Sequence, residues 1–520
     1  MLHTKWKFLL IAVSIFLWIL LSIYFINAPQ FVSSDGAQYL IGAQTIRTHG
    51  KYQTFNTLPQ LVGTERIPQY NWPPFYSFCL AAVMLISGQD VFSAGKILHF
   101  LCSLVFFLSW LSLVWSRFKN SPLILSTFLL TMVFPLGFWF YYRGYYSEGL
   151  FVTLCAILLN LCMYHTTTSR YKHKLMFVAA ISVTLGLMTI TRYAGLGFVL
   201  GLGVYMVWRI ITAKEKILSL HTVLFISPVS LIYGSWVIRN KLLLNNLSFQ
   251  NKTDLGFGFI EAFIDCTNKV MISVVGIPQR FEQYGVILLL GLCILLVINW
   301  KPIKHFIAAD SFNLLLILLS SCYFLMLLIV RKKYGFSPMR YYYLLQPMAV
   351  FLLLYGIRFF RHTDSSQPPV KRYIHNCIIY LIFGLMFLSG TRRTFSEIQT
   401  ASILSNQSHY RGSYLPMFMH SGWLLNWLKS QPKDNSLYCS NFTKYAPLLL
   451  GGPCIQLFSK QEENQRFLQL ISAKYEHIYL ILSKEKGQWK SRPDWDFYLN
   501  TLSYDILNED NSTIVVKLKK

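Results

Sequence analysis

Eleven apolar runs, each about long enough to cross a lipid bilayer, dominate this 520-residue chain and leave few folds open to it. They lie at about 8–28, 91–116, 121–141, 149–165, 175–191, 195–211, 217–238, 284–300, 311–330, 341–360 and 374–390. A hydrocarbon layer of ~30 Å is spanned by about 20 helical residues. Inside lipid, only helices and closed barrels satisfy every backbone polar group. Runs of this length fit helices, so the expected fold is mainly α, a polytopic transmembrane helical bundle of about eleven spans. A mean hydropathy of +0.42 and a charged fraction of 13% agree, being outside the range of soluble domains. Lys5 and Lys7 precede the first run, Phe8 to Ala28, which continues into Pro29 with no small-residue cleavage site. It reads as an uncleaved helix that starts on the inner side.

The net charge of +25 could suggest nucleic acid, but the basic residues come in short clusters between apolar runs, with no nucleic-acid-binding module around them. They read as topology signals instead. A further run, Pro74 to Gly88, has only 15 residues and decides the sidedness of everything after it. If it lies in the interface, the inner connections carry Arg117 and Lys119, then Arg170, Lys172 and Lys174, then Arg209, Lys214 and Lys216, then Lys301 and Lys304, then Arg358, Arg361, Lys371 and Arg372. If it crossed, all of these would face outward, against the positive-inside tendency. The amino terminus is therefore expected in the cytoplasm and the carboxyl terminus outside, in a bacterial inner membrane.

Three regions are then exposed externally: 29–90, about 239–283, and a tail from 391. The expected division is a transmembrane catalytic domain over 1–390, including the first external loop 29–90, and a small extracytoplasmic α/β domain over 391–520. The tail alternates a helical stretch, Trp423 to Leu428, with short apolar strands at Ser436 to Cys439 and Ile478 to Leu482. Cys439 and Cys454 flank one strand-helix-strand unit and read as a disulfide or as two structural thiols. No CxxC or Cys/His ligand pattern is present, so no zinc site is expected, and no other cofactor is firmly implied.

The chemistry-bearing residues cluster at the outer ends of the spans. Asp35, in Ser33-Ser34-Asp35-Gly36, follows the first span at a helix start, where it could serve as a base or simply favour the helix dipole. The same loop carries Tyr39 and Glu65 and ends Trp72-Pro73-Pro74-Phe75-Tyr76, whose prolines start a short helix expected to rest on the membrane. Arg143, Tyr145, Tyr146 and Glu148 follow the third span; Arg192 and Tyr193 follow the fifth. Between the ninth and tenth spans, Arg331 to Arg340 holds four basic residues and no acid, against the topology rule. A bound phosphate would explain Lys332, Lys333 and Arg340 there, because clustered cations stabilise phosphate oxygens near a low-dielectric phase. Attraction to anionic headgroups is the competing explanation.

Taken in order, Ser34-Asp35-Gly36-x-x-Tyr39, Trp72-Pro73-Pro74-x-Tyr76, Tyr145-Tyr146-Ser147-Glu148, Thr191-Arg192-Tyr193-Ala194-Gly195 and Arg340-Tyr341-Tyr342-Tyr343 resemble the GT-C membrane glycosyltransferases. The resemblance covers about residues 1–360 and looks closest to glycosyltransferase family 39, which includes the protein O-mannosyltransferases. It implies transfer of a monosaccharide from a polyprenyl-phosphate donor to a hydroxyl of a lipid, glycan or protein acceptor on the extracytoplasmic face, with inversion. By position Asp35 matches the family's general base, with Glu65 or Glu148 as an auxiliary acid. Many members have Asp-Glu where this chain has Asp35-Gly36, so a metal-assisted version is not supported, although a divalent ion remains possible. Arg192, Lys332, Lys333, Arg340 and Arg143 would hold the donor phosphate. Tyr39, Trp72, Tyr145, Tyr146 and Tyr193 would contact sugar or lipid. The alternatives are a flippase or transporter of lipid-linked glycans, expected to show internal repeats and mid-span charges, or a glycan polymerase.

Overall fold

The computed structural model describes residues 2–28, 34–55, 66–69, 71–119, 144–168, 170–213, 220–244, 258–275, 310–334, 339–363, 436–440, 475–483, 503–509 and 513–519, with 455–456 and scattered positions between. Its contacts divide the chain into two units. One comprises 1–26, 99–142 and 147–400; the other comprises 27–98, 143–146 and 401–520.

The first unit is helical. Its elements are α1 (Leu2–Asn27), α4 (Val91–Phe118, which begins in the other unit), α5 (Glu148–Thr167), α6 (Tyr171–Thr191), α7 (Gly195–Ala213), α8 (Leu220–Leu244), α9 (Phe259–Val270), α10 (Ser311–Tyr334) and α11 (Leu345–Thr363). Seven of them, α1, α4 to α8 and α10, are long and apolar enough to cross a membrane. The chain is a multi-pass membrane protein. Phe8, Phe16, Ile211 and Leu231 are more than half exposed on these helices, a surface that lipid would cover. The apolar part of α11 is shorter, Leu345–Gly356. The expected spans at 121–141 and 284–300, and most of that at 374–390, lie outside the described residues.

With no water to drive apolar packing in lipid, close backbone approach and polar contacts hold such helices together. A Cβ added to Gly197 or Gly201 on α7 would meet backbone of α10 at 2.9 Å (Tyr323 Cα) or 3.0 Å (Leu319 Cα), so only glycine lets these two helices approach as they do. Between α6 and α8 the contact is polar. Pro228 interrupts the hydrogen-bond ladder of α8, and the Ser182 hydroxyl of α6 donates to Phe225 O and accepts from Val229 N. The backbone groups loosened by the proline are thereby satisfied inside the protein.

The second unit contains α2 (Ser34–His49), the antiparallel pair β1 (Gln53–Phe55) and β2 (Arg66–Pro68), α3 (Phe75–Ser87), and a five-stranded sheet. Helix α3 starts after Pro74 and ends at Gly88, whose φ of 69° is left-handed. It buries Tyr76, Leu80, Ala81 and Met84 on one face and exposes Phe78, Leu85 and Ile86 on another. The sheet runs β4 (Ile455–Gln456), β3 (Ser436–Ser440), β5 (His477–Ser483), β7 (Thr513–Leu518), β6 (Tyr504–Glu509). Its first three strands are parallel and the last two pairings antiparallel. Tyr438 and Tyr479 lie opposite in register and stack at 5.1 Å, with Trp427 edge-on to Tyr479 at 5.8 Å. Both strands expected from the sequence are present. Cys439 is a fully buried free thiol, its pKa pushed up by burial; Cys454 lies outside the described residues.

Candidate functional site

Three turns of the helical unit bring its marked charges together. The first is the start of α5. Ser147 occupies the N-cap but makes no side-chain cap; its hydroxyl accepts a hydrogen bond from Arg192 Nη1 at 3.1 Å instead. Glu148, the first helical residue, is only 3% exposed. An acid at this position is favoured by the helix dipole.

The second turn joins α6 to α7 through Arg192, Tyr193 and Ala194. Arg192 leaves the helix in an extended conformation while its amide still bonds Met188 O. A Cβ on Gly195 would lie 2.8 Å from both Met188 C and Thr189 N, so glycine permits this tight reversal. The turn fixes where the Arg192 side chain starts. Tyr193 Oη accepts from Trp236 Nε1 of α8 at 3.3 Å.

The third is the single 3-10 turn Met339–Tyr341 between α10 and α11. Tyr323 of α10 donates to Tyr341 O at 2.9 Å, and Tyr342 donates to Cys266 Sγ of α9 at 3.0 Å. These bonds hold the turn that carries Arg340.

The result is one carboxylate between two guanidinium groups. Arg192 Nη1 lies 2.7 Å from Glu148 Oε2 and Arg340 Nε lies 2.7 Å from Glu148 Oε1. Neither oxygen completes an aligned hydrogen bond among the described residues, so the attraction is chiefly charge on charge. Both guanidinium groups also face the Tyr341 ring, at 4.6 Å and 5.5 Å from its centroid. The two arginine side chains are 15% and 14% exposed. All three charged side chains are mostly withdrawn from solvent. Planar guanidinium forks of this kind match the oxygens of a phosphate.

The four cations expected to cluster between Arg331 and Arg340 have different surroundings. Arg331 pairs with Asp265 of α9 at 2.8 Å, beside Lys269 at 2.7 Å from the same oxygen. Arg340 pairs with Glu148. Lys332 and Lys333 are exposed at the end of α10. Acids far away in sequence thus pair with Arg331 and Arg340.

In the second unit Asp35 sits half-buried in the first turn of α2. That unit also orders the segment around it. Gln38 Oε1 accepts from Thr54 Oγ1 at 2.7 Å and from Gln69 Nε2 at 2.9 Å, tying α2 to β1 and to the residue just after β2. Three rings expected to contact sugar or lipid are core residues here. Tyr39 meets Tyr76 edge-on at 5.3 Å, Tyr145 packs against Gly95 and Phe92 and is fully buried, and Tyr146 is 3% exposed. Burial pushes the Tyr145 phenol above its usual range. Trp72 is half-buried, with its carbonyl accepting from Tyr52 Oη at 2.9 Å. Glu65 and Arg143 lie outside the described residues. Among the described residues no group of three or more His, Cys, Asp or Glu could hold a metal ion.

Sequence reasoning missed Ser147, Tyr341 and Asp265. The adjacency of Ser147 and Tyr341 to marked residues was the available signal; for Asp265 there was none.

No protein-family model matches the sequence, and no curated protein matches it. Solved structures do. ArnT from Cupriavidus metallidurans in the apo state matches with a TM-score of 0.61 at 12% identity, over 99% of this chain and 98% of that one. The same protein bound to undecaprenyl phosphate gives 0.61 at 11% identity over the same shares. The oligosaccharyltransferase of Archaeoglobus fulgidus, in complex with Zn and sulfate, gives 0.49 at 12% identity over 91% and 68%. At such identities the ArnT match is a likeness of fold alone.

Proposed function

We propose that this protein is a glycosyltransferase that moves a monosaccharide from a polyprenyl-phosphate donor to an acceptor hydroxyl on the extracytoplasmic face of a bacterial inner membrane. The observation that carries this reading is the Arg192–Glu148–Arg340 group, two guanidinium groups brought to one carboxylate and largely withdrawn from solvent, in a chain whose fold matches ArnT, a protein solved with undecaprenyl phosphate. The Lys and Arg distribution supports the sidedness.

A sugar leaving a phosphate needs no strong acid, because the phosphate departs as a stable anion. It needs charge stabilisation on the leaving side and a base on the attacking side. Arg192 and Arg340 supply the first. Glu148, held between them, is a positioning residue: it keeps both guanidinium groups in place before the donor arrives and lowers the repulsion between them. Asp35 supplies the second. It takes the proton of the acceptor hydroxyl, the freed oxygen attacks the anomeric carbon, and the carbon–oxygen bond to phosphate breaks with its electron pair on the leaving polyprenyl phosphate. One displacement inverts the anomeric centre.

The test is turnover of labelled polyprenyl-phosphate sugar by lipid-reconstituted protein. Wild type should release polyprenyl phosphate in an acceptor-dependent way, and Asp35→Asn should be slower by about 10²- to 10⁴-fold. Near-wild-type turnover by Asp35→Asn removes it as the base. Movement of intact donor across the bilayer without release would identify a transporter instead.

A further inference from the structure

Helix α9 is too short to cross a membrane: its 12 residues reach about 18 Å, against the ~30 Å of a hydrocarbon layer. Its depth is nevertheless fixed by a helix of membrane length. Asp265, near the middle of α9, pairs with Arg331 at 2.8 Å, and Arg331 lies in the last turn of the apolar stretch Ser311–Lys333 of α10. Phe263 meets Phe324 of α10 edge-on at 6.2 Å, and Phe324 precedes Arg331 by seven residues, or about 10 Å along the helix. An ion pair at the end of the stretch and a ring contact within it put α9 at the level where headgroups give way to hydrocarbon.

At that level α9 presents two unlike faces. Ala262 and Cys266 are fully buried, and Cys266 Sγ accepts from Tyr342 at 3.0 Å. In the π-helical turn Met271–Val275 that follows, the buried Ser273 hydroxyl donates to Met339 Sδ at 4.0 Å. These contacts join α9 to the turn that carries Arg340. The other face is apolar and open: Phe259, Ile260 and Ile264 are 57%, 73% and 40% exposed. Glu261 does not break this face, because its carboxylate turns back to accept from Gly258 N at 3.3 Å. Helix α10 continues the pattern. Its exposed Leu325 and Ile329 lie roughly a third of a turn around from the row Phe324–Arg331 that α9 covers. Two open apolar surfaces therefore adjoin at one depth, and α10 is a helix whose open side meets lipid. Large side chains that would be unfavourable in water are favourable among acyl chains. A short helix with one apolar face, held at this depth, has the form of a helix lying in the membrane plane.

We infer that α9 is an interfacial helix whose Phe259, Ile260 and Ile264 insert among phospholipid acyl chains, in the leaflet at the Arg340 end of the bundle, with the Asp265–Arg331 pair at headgroup height. This seat is independent of glycosyl transfer and stands or falls separately from it.

Photo-crosslinking in phospholipid nanodiscs tests the inference on the full-length protein. Ile260 and Ile264 are replaced, one at a time, by p-benzoylphenylalanine, and intact-protein mass spectrometry reads the adducts after irradiation. The same replacement at Ile329 of α10 is the lipid-facing standard, and at Glu509, exposed at the end of β6, the background standard. Both α9 positions should gain phospholipid mass as readily as Ile329 and well above Glu509. A melting temperature equal to wild type checks that each variant is folded; where one falls short, Phe259 takes its place. Phospholipid uptake no greater than at Glu509 at either position overturns the inference. So does cross-linking to a second copy of the chain in place of lipid, which would make the face a protein interface.

Discussion

Among the ionic groups around α10, two largely buried ones are built differently. Before its first residue, Asp310 caps the helix through Phe312 N at 2.9 Å, accepts from Tyr355 Oη at 3.1 Å and pairs with Arg117 at 2.5 Å. The Arg117 guanidinium lies over Phe312 and Tyr355. Here one acid meets one base. Beyond the other end of α10, Glu148 meets Arg192 and Arg340, so one acid meets two bases. The first sets one carboxylate against one guanidinium with two further hydrogen bonds and has the form of a structural lock. The second sets one carboxylate between two guanidinium groups, the arrangement proposed above to receive a lipid-linked phosphate.

The largest expected effect separates the two groups by stability. Arg117→Ala leaves Asp310 buried without its cation and should cost about 3–5 kcal/mol, read as a lowered melting temperature that undecaprenyl phosphate does not restore. Glu148→Gln should also destabilise, by about 3 kcal/mol, because two guanidinium groups then face each other. In this case added undecaprenyl phosphate should recover most of the loss. Equal rescue of both variants would erase the distinction between lock and site.

A smaller effect sharpens the site itself. Arg340→Ala should weaken undecaprenyl-phosphate binding about 10- to 100-fold, as expected for loss of a charged hydrogen-bonding partner. Arg192→Lys should recover only part of the affinity, because an ammonium cannot reproduce the planar fork or its packing on Tyr341. Full affinity in Arg192→Lys would point to a simple charge requirement.

Helix capping offers a milder counterpart to Asp310. Asp90 caps α4, accepting from Phe92 N at 2.8 Å, Ser93 N at 3.2 Å and Ser93 Oγ at 2.7 Å. Partial burial works to raise its pKa, but these hydrogen bonds outweigh it and hold the carboxyl below its ordinary value. A depressed acid stabilises the fold above its unfolded-state pKa, and the contribution disappears as pH falls through the folded-state value. Asp90→Ala should cost about 1 kcal/mol at neutral pH, and the gap from wild type should close in acid. A gap independent of pH would remove the charge from the explanation.

The smallest effect concerns Lys332 and Lys333. Exposed at the end of α10, they should each contribute under about 1 kcal/mol to donor binding, with a dependence on ionic strength that Arg340 lacks.

These contrasts also explain what the sequence made legible. Membrane-length helices were readable because hydropathy over twenty residues is a local property, and every described span matches an apolar run within a few residues. Arg192 and Arg340 were marked because a cation at a span end is locally conspicuous. Their partner's role was not. Glu148 lies 192 positions from Arg340, and Asp265 lies 66 positions from Arg331, so a ten-residue segment with no acid read as a pure cation cluster. Tyr39 and Tyr145 were ambiguous for a different reason. An aromatic ring serves equally in a core and at a ligand surface, and only the packing of Tyr76 and Gly95 against them decides the matter.

Whether the Arg192–Glu148–Arg340 group is the phosphate site is decided by the affinity of the reconstituted protein for undecaprenyl phosphate, compared across Arg192→Ala with Arg340→Ala, Arg117→Ala, and wild type. The double variant should lose at least 100-fold, while folded Arg117→Ala should bind as wild type does. Unchanged affinity in the double variant, or equal loss in both, would contradict the assignment.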